Sequence, residues 1–227
     1  MIIDMKEKNA NILCIILAIA VLALAFFVEQ VIQPGYLIKS IIKVCSFGGV
    51  ICLYSVLAKK NLLEVINLHK PRKIGILIGC IALFFIGIGI LFMIFTNQIN
   101  WDGVRESLVT KEGLTRQNCF FVFGYIIVVN SFLEEAFFRG FFPGLFKNKL
   151  VGSIISALLF SSYHIGIIGS WFNVLVFLVC IIGLAFVGLF LQWLSNKYET
   201  IVADWMVHAS ANIAINVIGA LLIFEIL

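Results

Sequence analysis

The chain has 227 residues, 62% of them hydrophobic and only 12% charged, with a net charge of +4. A soluble domain carries about 25% charged residues, so this composition excludes a water-soluble globular domain. The small positive excess excludes a nucleic-acid partner and is accounted for by basic loops at a membrane surface, so the lipid bilayer is the first partner implied.

Apolar runs of roughly 20 residues, enough to cross a ~30 Å hydrocarbon core, recur along the chain. They predict an all-α fold, a polytopic bundle with spans at 11–32, 37–58, 74–96, 119–141, 150–168, 171–195 and 200–226. The first run follows Lys6 and Lys8 in the manner of a signal peptide. It is too long for a signal core and lacks a small-residue cleavage site, so it is read as a retained span. The last run breaks near Gly219 in an alternative reading, giving eight segments in place of seven.

Loop charges set the expected orientation. Segment 59–73 holds Lys59, Lys60, Lys70, Arg72 and Lys73; loop 142–149 holds Lys147 and Lys149, and loop 196–199 holds Lys197. Loops 33–36 and 169–170 are uncharged, and 97–118 mixes both signs. Placing the N-terminus in the cytoplasm and the C-terminus outside puts every purely basic loop inside. Lys39 and Lys43, near the outer end of the second span, must snorkel or line a cavity. The six cysteines lie in or beside apolar runs without a C-x-x-C pair and read as packing residues. With no repeat or linker, residues 1–114 (three spans with their loops) and 115–227 (the polar motifs) are expected to form one integrated membrane domain.

The motifs begin in the fourth span, where Asn130-Ser131-Phe132-Leu133-Glu134-Glu135 leads to Arg139. A charge near the bilayer centre costs roughly 2.5–3.5 kcal/mol, so three cost on the order of 7–10 kcal/mol before pairing and mark a functional site. Glu135 and Arg139 are i,i+4 in the favourable order. Glu134, about 100° round the helix, is left for another task. Asn130 and Ser131 each stand four residues before one of the carboxylates. The fifth span supplies His164, and the seventh a stripe of Asp204, His208, Asn212 and Asn216. Asp204 is placed either to orient His208 or to sit at the helix start on its dipole. His69 in its basic loop reads as solvated, and Trp171, Trp193 and Trp205 read as interface aromatics.

These groups are the parts of a hydrolase. A desolvated carboxylate makes a general base for water. A His and an Asn amide can stabilise an oxyanion, at roughly 2.7–4 kcal/mol per donor. Two His and one Glu (His164, His208, Glu134) are also the parts of a Zn²⁺ site with an open position, and the residues alone leave both schemes open.

The three motifs E-E-x-x-x-R (Glu134, Glu135, Arg139), F-x-x-x-H (Phe160, His164) and H-x-x-x-N (His208, Asn212) stand in this order on successive hydrophobic segments. Together they resemble the CAAX-protease and bacteriocin-processing family, also called Abi, of intramembrane endopeptidases, over roughly residues 115–220. The resemblance implies that Glu134 activates water and that His164 is a second group at the water or metal. It implies that His208 and Asn212 stabilise the oxyanion and that Glu135 and Arg139 support them. It also implies a peptide or protein substrate near the membrane, prenylated in eukaryotic and archaeal relatives, with bacteriocin self-immunity among bacterial roles. Family members were first described as zinc metalloproteases, and a metal-free glutamate mechanism is the preferred account; they often have eight helices. A catalytically idle relative acting by contact with a bacteriocin receptor or sensor is the alternative function. An ion-coupled transporter is a third, disfavoured by the lack of inverted repeats.

Overall fold

The computed structural model describes residues 5–71, 75–169 and 171–227. Arg72 and Lys73 of the basic segment, position 74 at the expected start of the third span and Ser170 lie outside the described residues. Among the described residues seven helices are long and apolar enough to cross a membrane: Lys6–Ile32, Tyr36–Ala58, Gly75–Gln98, Cys119–Leu145, Lys149–Ile168, Val174–Tyr198 and Ile201–Ile223. They are numbered here as spans one to seven. Among the described residues the extended structure is an isolated bridge between Ile99 and Phe172. The protein is an all-helical integral membrane protein.

Several helix ends are set by polar caps that hydropathy does not see. Asn148, Asn173 and Thr200 each accept a hydrogen bond from a first-turn N–H of spans five, six and seven. The fourth span runs past its expected end at 141 through a 3-10 turn at Phe142–Leu145, which accommodates Pro143 in its first turn. The seventh span continues unbroken past Gly219 to Ile223, so the eight-segment alternative does not hold. A lone glycine costs a helix only about 1 kcal/mol relative to Ala. Here Gly219 admits the Phe123 ring, which a Cβ would meet at 3.4 Å.

The fourth span is the centre of the bundle, packed against spans two, five, six and seven; the third lies chiefly on the seventh. Its backbone is interrupted twice. A helix at Cys119–Tyr125 gives way to a π-helical segment at Ile126–Asn130, returns to α at Ser131–Glu135, and becomes π again at Ala136–Phe141. Such i→i+5 turns gather at functional sites, because each changes the rotational phase of the next stretch of helix. Here they bracket the paired carboxylates.

Around this span Phe47, Phe137, Phe138, Phe141, Phe160 and Tyr163 form one buried aromatic core, with Phe47 and Phe137 stacked at 4.3 Å. The outer faces are the reverse of a soluble protein's. Leu37, Val56, Phe121 and Val174 are each more than 70% exposed, which suits contact with lipid. The segment after span two is tied to the start of span seven: Ile201 N donates to the Asn67 carbonyl at 3.0 Å, and the Thr200 hydroxyl to the His69 carbonyl at 2.5 Å. The His69 side chain itself is exposed, as expected.

Candidate active site

Four spans contribute to one polar cluster. Glu134, Glu135 and Arg139 on span four are 2%, 0% and 4% exposed. Glu135 takes the partner expected of it, Arg139 Nε at 3.1 Å. Its other oxygen meets His208 Nδ1 at 2.6 Å. The Arg139 guanidinium lies 4.0 Å from the centroid of the Phe160 ring, a cation–π contact that strengthens away from water. Phe160 is also the wall between the two histidines, its centroid 4.5 Å from that of His164 and 5.9 Å from that of His208.

Glu134 is not left free. Its Oε1 receives Lys43 Nζ at 2.5 Å and Asn130 Nδ2 at 3.0 Å. Its Oε2 is buried without a hydrogen-bond partner among the described residues and lies 3.8 Å from His208 Nε2. Asn130 therefore serves the carboxylate four residues on, as the sequence suggested. Lys43, which that reading left to snorkel or line a cavity, is a site residue; the signal was present as a cation inside a span, which calls for a named partner.

Both imidazoles are anchored through Nδ1. His164 Nδ1 lies 2.8 Å from the Phe160 carbonyl, which can only accept, so Nδ1 carries the proton. The carboxylate of Glu135 assigns His208 Nδ1 the same role. Each ring is left with Nε2 available, and both rings interact electrostatically with Glu134.

Several expected pairings are replaced. His208 turns to Glu135 and away from Asp204, so Asp204 does not orient it. Asp204 is fully buried beside Glu135, and neither of its oxygens receives a hydrogen bond among the described residues. It does stand in the first turn of span seven, as the other reading had it, but buried and not at the surface. Ser131 does not reach Glu135: its hydroxyl donates to the Ile127 carbonyl at 2.5 Å and accepts from Trp205 Nε1 at 3.0 Å. Trp205 thus ties span seven to span four and is more than an interface aromatic. Asn212 Nδ2 points at the Ile126 carbonyl, 3.4 Å away. The first π segment explains this, since its carbonyls leave the α ladder and face side chains of span seven. Asn216 is buried, and its amide nitrogen has no partner among the described residues.

On the expected outer side, Lys39 is buried between Glu29 and Glu112, at 2.6 Å from each. Burial raises the Glu112 carboxyl above its ordinary value, and Lys39 opposes that rise. Glu225 pairs with Arg105 and with Arg116.

Among the described residues no three His, Cys, Asp or Glu side chains are grouped so as to hold a metal ion. One oxygen of Glu134 is taken by an ammonium, while the bond from His208 Nδ1 to Glu135 leaves the Nε2 of that ring for another partner.

The polar cluster is walled by aromatic side chains inside a bundle of membrane-spanning helices. Residues 116–214, the segment that holds the three motifs, match the family model described as type II CAAX prenyl endopeptidase Rce1-like. No curated protein and no solved structure matches the chain.

Proposed function

We propose that the protein is an intramembrane endopeptidase that cleaves a membrane-associated peptide or protein by water activated on Glu134. The observation that carries this reading is the free, buried Oε2 of Glu134 standing 3.8 Å from His208 Nε2. A gap of that size between two polar atoms accommodates a water bonded to both, at ~2.8 Å from each. The family match to an endopeptidase over 116–214 supports the same reaction.

In this mechanism the water gives one proton to Glu134 Oε2 as its oxygen bonds to the scissile carbonyl carbon. The carbonyl π pair becomes an oxyanion. His208, in its imidazolium form, donates from Nε2 to that oxyanion, with the positive charge balanced by Glu135 behind it. The single negative charge of Glu135 is shared between that imidazolium and Arg139. His164 Nε2 accepts from the water or its attached proton, and the second N–H of Asn212 Nδ2 completes the oxyanion donors. Glu134 then returns its proton to the amide nitrogen, the C–N bond breaks, and a carboxylate and an amine leave.

The test is cleavage in proteoliposomes of two peptides, one bearing a farnesylated cysteine near its C-terminus and one unmodified. The wild type cleaves at least one, and Glu134→Gln lowers the rate by about 10²–10⁴-fold, the share of a general base. Chelation by 1,10-phenanthroline leaves the rate within twofold. Cleavage of neither peptide, or equal cleavage by Glu134→Gln, overturns the proposal in favour of action by contact.

A further inference from the structure

A carboxylate can act as a base through either oxygen, and its terminal torsion is soft and nearly two-fold. In Glu134 the two oxygens have been made unequal. Oε1 is saturated by Lys43 and Asn130, whereas Oε2 has no donor among the described residues. The Asn130 donor stands on the same helix one turn back, so it moves with Glu134 and supplies no outside reference. Lys43 does supply one, because it reaches across from span two. It is itself held from three sides: Nζ donates to Asn130 Oδ1 at 2.6 Å, and lies 4.8 Å from the Tyr163 ring centroid and 5.5 Å from that of Phe47. Lysine, asparagine and glutamate thereby close a hydrogen-bonded triangle in which every leg is made. Lys43 lies outside the segment 116–214 that carries the family match.

We propose that Lys43 is a positioning residue for the hydrolysis: by clamping Oε1 from a neighbouring span it presents Oε2 as the single oxygen that can take a proton from water. This rests on Glu134 being the base. Lys43 also supplies the positive charge that lets the carboxylate persist among aromatic side chains, where a lone ion is costly. Removing it leaves Glu134 unpaired and free to rotate, with Asn130 alone to hold it. The clamp does not touch the peptide, so its loss affects turnover and leaves substrate affinity unchanged.

Two readouts test this, one independent of any substrate. The first is labelling of the intact protein in detergent by dicyclohexylcarbodiimide, which attacks intramembrane carboxyl groups that lack a counter-ion, located by mass spectrometry of the peptide containing residue 134. Wild type and Lys43→Arg resist; Lys43→Met labels at Glu134 at least ~10-fold faster, and the adduct disappears in Lys43→Met combined with Glu134→Gln. Lys43→Gln, which keeps a donor, serves if the methionine variant elutes as aggregate. Equal labelling of wild type and Lys43→Met or Lys43→Gln overturns the proposal. The second is cleavage of whichever peptide the wild type cuts: Lys43→Met lowers kcat at least ~10-fold with KM within twofold, and Lys43→Arg recovers most of it. A rise in KM with kcat unchanged overturns the proposal. If the wild type cuts neither peptide, the hydrolase reading fails, while the labelling still decides whether Lys43 governs Glu134.

Discussion

Glu135 is the side chain on which the most buried charge depends. It is fully buried, and its two oxygens answer Arg139 at 3.1 Å and His208 at 2.6 Å. Both Nη atoms of Arg139 are without hydrogen-bond partners among the described residues, so its charge is met through Nε and the faces of Phe160 and Phe138. Removing one member of a buried ion pair costs about 3–5 kcal/mol, because the other charge is left in a poor solvent. Glu135→Ala is accordingly expected to lower stability by about that amount in detergent unfolding monitored by circular dichroism. Cleavage is expected to fall as well, since His208 loses the group that fixes its ring. The i,i+4 spacing made the Glu135–Arg139 half of this arrangement legible in the sequence. The His208 half was not: Asp204 is four residues away on the same helix and was the nearer candidate, and nothing in a linear chain ranks it below a carboxylate on span four.

At the scale of the element, the fourth span shows what periodicity can and cannot reveal. Its existence follows from an apolar run bounded by polar residues, and that much is read directly. Its phase is not, because the π segments Ile126–Asn130 and Ala136–Phe141 break the 3.6-residue repeat on either side of the carboxylates. Ser131 bonds back to Ile127, a local habit of serine in helices, and Asn212 meets the carbonyl of Ile126 in the first π segment. The span's far end is fixed by backbone proximity. A Cβ on Gly140 would collide with the Ile66 carbonyl, whereas one on Gly144 meets nothing within 4 Å. Gly140→Ala is expected to destabilise by about 1–3 kcal/mol through overpacking, and Gly144→Ala to stay within about ±0.5 kcal/mol. A pair of thermal melts in the same detergent separates them. A glycine that admits neighbouring backbone and one that merely sits in a turn look alike in sequence.

For the whole molecule, seven spans were legible because a bilayer imposes one length on every crossing, whereas the pairing of those spans was not. Hydropathy places Lys43 in span two and Glu134 in span four but is silent on which spans touch. The lysine looked like a misfit in its own helix because its partner lies 91 residues on. The outer segment shows the same logic: Lys39, one turn before Lys43 on span two, is gripped by Glu112 of the stretch between spans three and four. That dependence has a practical corollary for anyone wishing to trim the protein. The matched stretch is not expected to act alone, since a fragment beginning at residue 115 lacks the ammonium that pairs with Glu134. Such a fragment expressed alone is expected to be degraded or inert, and supplying residues 1–114 as a separate polypeptide should restore both accumulation and proteolysis. Replacing Lys43 by Met in that added piece should abolish the restored proteolysis while leaving accumulation intact.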